Sequence, residues 1–423
     1  MNLLEQLNIE IKEHPDFWNY YKTDFINPLC SLDDAKRFIE EYFVAGSKKH
    51  IIKDWSNNTE NEIMFRNRHS VNVFFIGAML QRMIDPNIQI IAKKNGNYPF
   101  SYFWYLTCLA HDMGYIYEEK SKKEIGGKKL CRDCLLVKNG RRKKIYECFG
   151  INQIPCFSLD FSAGRYCFIR KGFRLAGFSA NSVRCNGLQH GCLRSCYGSI
   201  EYTGKTSIRI DTPRYSQAIM EKYFKYRLVE MGVLDHGLVG ADVFFAGAIE
   251  NYRKQYERNS SKNEIIYDFI NREQKHFCCE HFKIFRYIAD CIASHNIYMS
   301  GTSEESKEKY KSFGLECLCP EKFVKIAYEA NPLLFVLCVA DTLEPWKRFG
   351  EYDNETILSK LSIHYDVNQN RIIVKMEREL LETEAGRKYR SDVDGLKTWC
   401  EIEAEVVPVD SVAINENAGV ISC

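Results

Sequence analysis

The sequence predicts a mainly α-helical protein that is interrupted by a strand-rich, cysteine-rich insert and closed by a small α/β module. Three observations carry this prediction. Apolar residues recur at helical spacing through most of the chain before Glu351. Between Lys120 and Pro213 that period lapses, and short runs such as RRKKIYECF, FSAGRYCFIR and YTGKTSIRID alternate with Gly and Asn, as strands and turns do. After Glu351, LSIHYDVNQNRIIVKM sets Leu361, Ile363 and Tyr365 on one side of a VNQN turn and Ile372 and Val374 on the other, a β-hairpin pattern.

The elements follow in order. Residues 1–60 read as an N-terminal helical cap, in which DDAKRFIEEYF (Asp33 to Phe43) sets Ala35, Phe38, Ile39 and Phe43 at helical spacing. Residues 61–119 are the first part of a helical body. From Asn61 to Ile84 an apolar face includes Val73, Phe74, Ile76 and Leu80, with His69 on the same helix, and a second helix runs from about Ser101 to Gly114. Residues 120–213 are the insert. Residues 214–350 are the second part of the body, with helical patterns from Tyr215, from Asp235 to Lys254, Glu264 to Asn271, His276 to Ser294, Pro320 to Ala330 and Pro332 to Phe349. Residues 351–423 hold the module: the hairpin, a helix near Met376 to Ala385, a last strand from Cys400 to Val407 and a frayed tail after Pro408.

At 423 residues the chain can bury a sizeable core and carry accessory modules. Its 45% hydrophobic and 27% charged residues are an ordinary globular composition. The opening MNLLEQLNIEIKEHPDFW lacks the basic n-region and apolar run of a signal peptide, and no stretch of about 18 apolar residues suggests a membrane span. The 18 cysteines therefore read as cytosolic thiols and metal-ligand candidates, and the expected location is cytoplasmic. Charge is segregated: 19 Lys and Arg face 6 Asp and Glu between Lys120 and Pro213, in a chain whose net charge is only +2. A surface that basic suits an anionic partner.

In YLTCLAHDMGYIYEEK (Tyr105 to Lys120) an apolar helical run delivers His111 and Asp112 side by side. Buried imidazoles and carboxylates cost free energy unless they are paired, hydrogen-bonded or bound to metal. Comparable residues recur in apolar helical surroundings: His69 in NRHSVNVFF, His236 in VLDHGLVGADVFFAG, where Asp235 can cap the helix, His295 in YIADCIASHN and Asp341 in PLLFVLCVADTLEPW. Any one alone reads as a satisfied core histidine or a capping carboxylate. Together they suit zinc, iron, manganese or nickel, because a helical bundle can aim one ligand from each of several helices at a common point. His276 and His281 in HFCCEHF do not share a helix face and read as surface or core residues.

The order His69, His111 with Asp112, His236, His295 and Asp341 resembles the HD superfamily of metal-dependent phosphohydrolases, in the version with two added histidines between the HD doublet and the last Asp. DHGLVGA and ADTLEPW look like the segments around that family's fourth and final ligands. The resemblance covers roughly Asn61 to Glu119 and Tyr215 to Gly350. It implies an HD-type helical bundle holding two divalent ions: manganese, iron, nickel, zinc or magnesium. His69, the doublet and Asp341 would hold one ion, Asp112 would bridge, and His236 and His295 would hold the second. The implied activity is cleavage of a nucleotide or nucleic-acid phosphate ester by a metal-activated hydroxide, with Asp112 as a catalytic residue. Arg68, beside His69, and Lys347 and Arg348, beyond Asp341, read either as auxiliary cations or as plain surface residues. Two positions depart from the family pattern. Tyr115 stands where members that cleave cyclic dinucleotides often carry Lys, and Asn296 stands where a second His often follows the fifth ligand.

In the insert, CRDC (Cys131, Cys134) and CLRSC (Cys192, Cys196) supply two cysteine pairs, which read either as a tetrahedral structural zinc site or as free thiols. Tyr146, Phe149, Tyr166 and Phe168 interleave with the basic residues, as base-stacking surfaces do and as a strand-rich lobe's own core does. The basic insert favours a nuclease; hydrolysis of free nucleotides needs no such lobe. The rival from another class is a non-catalytic HD-fold sensor or scaffold with a nucleic-acid-binding insert. A third reading leaves the histidines as unrelated core residues, and metal content separates it from both others.

Overall fold

In the computed structural model of the chain, which describes residues 1–13, 29, 32–45, 61–92, 96–119, 200–210, 213–259, 282–299, 301 and 303–410, the sequence periods become packed helices. The first are α1 (Leu3–Glu13), α2 (Leu32–Ala45) and α3 (Asn61–Ile84). α3 is buried on every side from Asn67 to Gln81, so it needs neighbours all round rather than one apolar stripe. α2 lays Phe38 against Phe74 and Phe75, both at 5.7 Å between ring centroids. Across α3, the Trp104 indole N–H donates to the Phe74 carbonyl at 2.8 Å. Gly77 admits that indole, since a Cβ there would lie 2.0 Å from the ring.

β1 (Gln89–Ala92) and β2 (Gly96–Pro99) form a hairpin ahead of α4 (Phe100–Ala110). β3 (Ile200–Thr203) and β4 (Ile208–Ile210) complete an antiparallel sheet ordered β2-β1-β3-β4. The periodicity predicts only helices over 61–119. β1 and β2 are too short to show alternation, and β1 finds its second partner, β3, near the far end of the insert. β3 and β4 are the YTGKTSIRID run, strand as predicted. Their turn is tied to the end of α3: the Lys205 backbone N–H donates to Asp85 Oδ2 at 3.0 Å, and Lys205 Nζ donates to the Ile84 carbonyl at 2.7 Å. Cys131, Cys134, Cys192 and Cys196 lie outside the described residues, as do the interleaved aromatics.

α5 (Gln217–Glu230), α6 (His236–Asn259), α7 (Phe282–Ser294), α8 (Glu304–Ser312) and α9 (Pro332–Leu343) follow. Ser216, Ser303 and Asn331 cap α5, α8 and α9 by accepting a first-turn N–H. The helix expected over Glu264 to Asn271 lies outside the described residues, as does the start of the one expected from His276. Two expectations are corrected. Pro320 to Ala330 is not a helix, because Ile326 pairs in parallel with Cys400: its N–H donates to the Trp399 carbonyl, and the Glu401 N–H donates to its carbonyl, both at 2.9 Å. Pro332 to Phe349 is two helices, α9 and α10 (Trp346–Phe349), because Pro345 keeps Glu344 extended at φ −69°, ψ 117°.

α11 (Asn354–Ser359), β5 (Leu361–Asp366), β6 (Arg371–Glu377), α12 (Arg378–Leu381), α13 (Glu384–Gly395) and β7 (Glu403–Val409) end the described chain. β5 and β6 are the predicted hairpin, with Asp366 opposite Arg371 and Asn370 in the left-handed region at φ 47°. β6 continues to Glu377 where a helix is expected from Met376, and β7 returns parallel to β6 from Glu403 rather than Cys400. This sheet is fastened to the helical body. Tyr389 Oη donates to the Leu343 carbonyl at 2.7 Å, and the Gln6 amide bonds both the carbonyl (2.9 Å) and the N–H (3.1 Å) of Ile363. Among the described residues no helix is long and apolar enough to cross a membrane.

Candidate metal centre

The candidate ligands come from five places in the helical body, most of them helix ends. His69 lies within α3, His111 and Asp112 follow the last residue of α4, His236 opens α6, His295 follows α7, and Asp341 lies in the last turn of α9. The ends of α4 and α7 share one device. Helix C-termini leave carbonyls without intrahelical partners. His111 Nδ1–H donates to the Cys108 carbonyl at 2.5 Å, and His295 Nδ1–H donates to the Ile292 carbonyl at 2.6 Å. The other two imidazoles use carboxylates: His69 Nδ1–H donates to Glu344 at 2.6 Å and His236 Nδ1–H to Glu118 at 2.8 Å. With Nδ1 engaged on all four rings, each presents Nε2 as its ligand atom, the arrangement found at metal-ligating histidines.

Those atoms converge. His69, His111 and Asp341 each place a donor atom within 4.8 Å of the others, and Asp112, His236 and His295 do the same. Asp112 stands between the groups, with Oδ2 3.5 Å from His69 Nε2 and Oδ1 3.3 Å from His111 Nε2 and 4.0 Å from His236 Nε2. The HD turn approaches α6 closely because position 114 is glycine: a Cβ there would lie 1.9 Å from the His236 carbonyl oxygen.

The electrostatics gather negative charge around the cluster, and a bound cation would displace the proton that this charge draws onto His69. Burial disfavours a charged His69, but Glu344, Asp341 and Asp112 outweigh it and push its pKa up to about 9. Burial, with His111 and His236 as neighbours, pushes His295 down to about 3, so it stays neutral. Burial alone would raise Asp112, yet His111, His69, Arg66 and His236 hold it below the usual carboxylate range. Asp341 is likewise held low, against burial, by Lys347, His111 and His69. His111 Nε2 and Asp112 Oδ2 are buried atoms without a hydrogen-bond partner, and His69 Nε2 meets carboxylate oxygens, the nearer being Asp341 Oδ1 at 2.9 Å. Orphaned imidazole nitrogens beside carboxylates are costly in a protein interior and are the donor set of a divalent transition metal. The residues therefore fit a metal ion.

Lys347 Nζ lies 3.2 Å from Asp341 Oδ1, placing this sequence candidate at the cluster. Arg68 is engaged elsewhere: its guanidinium donates to the Leu29 carbonyl and lies over the Trp346 ring. The guanidinium near Asp112 belongs to Arg66, with Nη1 3.7 Å from Oδ2. It also covers the Tyr115 ring at 3.7 Å, and Tyr115 in turn stacks on His236 at 3.9 Å. Asn296 Nδ2 donates to Asp235 at 3.0 Å and comes within 3.5 Å of His236 Nε2. Asp235 caps α6 as expected, accepting from the Leu238 N–H at 2.9 Å. Sequence reasoning missed Arg66, Glu118 and Glu344. The available signals were Glu118 one helical turn past the HDMG turn and Glu344 immediately before a helix-breaking proline. A cleft of about 330 Å³ opens on the cluster, reaching His236, His295, Asp341 and Lys347. No family model, curated protein or solved structure matches the chain.

Proposed function

We propose that the chain is a metal-dependent phosphohydrolase of the HD superfamily, binding two divalent ions and cleaving the phosphate ester of a nucleotide or nucleic acid. The observation that carries this reading is the convergence of four imidazoles, each fastened at Nδ1, with Asp112 and Asp341, beside a cleft that His236, His295 and Asp341 line. When bound there, divalent ions supply a hydroxide near neutral pH and neutralise charge developing on the phosphoryl oxygens. The chain's own groups do the rest. Asp112 lies where both ligand groups can share it, Lys347 offers an ammonium to an anionic ester at the cleft wall, and the Arg66–Tyr115–His236 stack fixes the second group's imidazole.

The test is metal analysis of the purified protein and of His111→Ala/Asp112→Ala, with both assayed under manganese on single-stranded DNA, RNA, nucleotides and a generic phosphodiester. Bound metal and hydrolysis that both fall in the double variant are expected. Metal content and hydrolysis that survive it would overturn the reading.

A further inference from the structure

The C-terminal module contributes to the lining of the cleft. Trp399 and Asp392 line it together with His236, His295 and Asp341, and Trp399, 8% exposed, stacks on Tyr298, another lining residue, with centroids 4.4 Å apart and planes at 11°. The backbone that carries the indole is fixed on both sides. The backbone carbonyl of Trp399 accepts the Ile326 N–H at 2.9 Å, and its N–H donates to the Leu396 carbonyl at 3.1 Å. On the same wall Arg348 is anchored to Asp392, Nε to Oδ2 at 2.6 Å. The cleft thus combines a cation, part of the candidate metal centre and a stacked aromatic pair in one lining. Its volume of about 330 Å³ lies at the lower end of small-molecule sites.

We infer that the C-terminal module is a specificity element of the site, and that the Tyr298–Trp399 wall receives the planar base of a single nucleotide whose phosphate lies toward Lys347 and the cluster. The inference takes the phosphate end from the phosphohydrolase reading. A pre-positioned ring loses little freedom when a base packs against it, and such contacts typically strengthen binding about tenfold or more.

The experiment is calorimetric titration of the full chain, loaded with manganese, with a nucleoside monophosphate and with ribose 5-phosphate, which carries the same phosphate without a base. The wild type, Trp399→Leu and Trp399→Phe are compared. We expect the wild type to prefer the nucleotide by at least about tenfold, Trp399→Leu to lose that preference with ribose 5-phosphate affinity retained, and Trp399→Phe to recover most of it. Equal wild-type affinity for the two ligands overturns the inference, whatever the variants do. An equal loss for both ligands in Trp399→Leu overturns it as well, by making Trp399 merely structural. A base preference that depends on Trp399, in a protein that hydrolyses no ester, supports the aromatic wall and sinks only the hydrolase reading.

Discussion

Glu344 accepts from His69, from Asn72 and from the backbone N–H groups of Trp346 and Lys347, so one carboxylate sets the ring of a candidate ligand and the start of the next helix. Glu344→Ala leaves buried donors unpaired and should cost about 3 kcal/mol of stability. It should also weaken metal binding at least about tenfold. Thermal melts and metal titration check both, and a variant unchanged in the two would remove Glu344 from the site. Asp290, on α7, gives a prediction away from the cluster. Burial pushes its carboxyl up to about 6, although the Arg214 backbone N–H at 2.9 Å and the charges of Arg286 and Arg214 pull the other way. The folded chain then keeps a proton that the unfolded chain releases near pH 4. Stability therefore falls as pH rises from about 4 to about 6, and a cost of about 3 kcal/mol is fully present above pH 6. Asp290→Asn removes the titration, so in urea unfolding it should match the wild type at pH 4 and exceed it at pH 7.5; the same offset at both pH values would count against this. The histidines were legible at this scale because imidazoles are conspicuous in apolar runs. Glu118 and Glu344 were not, since acids in YEEK and LEPW look like surface residues until the fold folds them back onto His236 and His69.

Two glycines separate packing from propensity at the scale of elements. Gly114→Ala would drive a Cβ into the His236 carbonyl and force the HD turn away from α6, at a cost of about 3 kcal/mol and with loss of metal. Gly395→Ala, at the end of α13 with φ −73° and nothing within 4 Å of the added Cβ, should instead gain up to about 1 kcal/mol. Chemical denaturation of the pair decides, and equal effects would refute the distinction. Elements with strong local signals were readable: α3 spans Asn61–Ile84 as its apolar face predicts, and the VNQN turn closes the β5–β6 hairpin. Where tertiary partners decide, local pattern failed. Ile326 takes a strand-like pairing to Cys400 inside an apparently helical run, and β1 is a strand because β2 and β3 flank it.

For the whole molecule, the sequence boundary at residue 351 marks a change of pattern and not a gap in packing. Tyr389 bonds Leu343, Arg348 bonds Asp392, Ile326 pairs with Cys400 and Gln6 bonds Ile363. The amides of α3, α9 and β5–β7 should therefore lose hydrogen-exchange protection together as denaturant rises, read segment by segment by mass spectrometry. A module that opens at lower denaturant than the helices would show that it docks as a separate unit. The bond between Gln6 and Ile363 also constrains how the chain is made. It joins residues 357 apart. At about 5–20 residues per second, a ribosome needs on the order of half a minute to deliver the second partner after the first. Until then α1 has α3 to receive it but neither β5 nor α11, so the nascent chain carries an incompletely covered apolar helix, with Leu3 and Leu7 on it, through most of its synthesis. α1 is thus made long before the segments that complete its cover, and a chain halted before Leu361 leaves that helix exposed to holding chaperones and to aggregation.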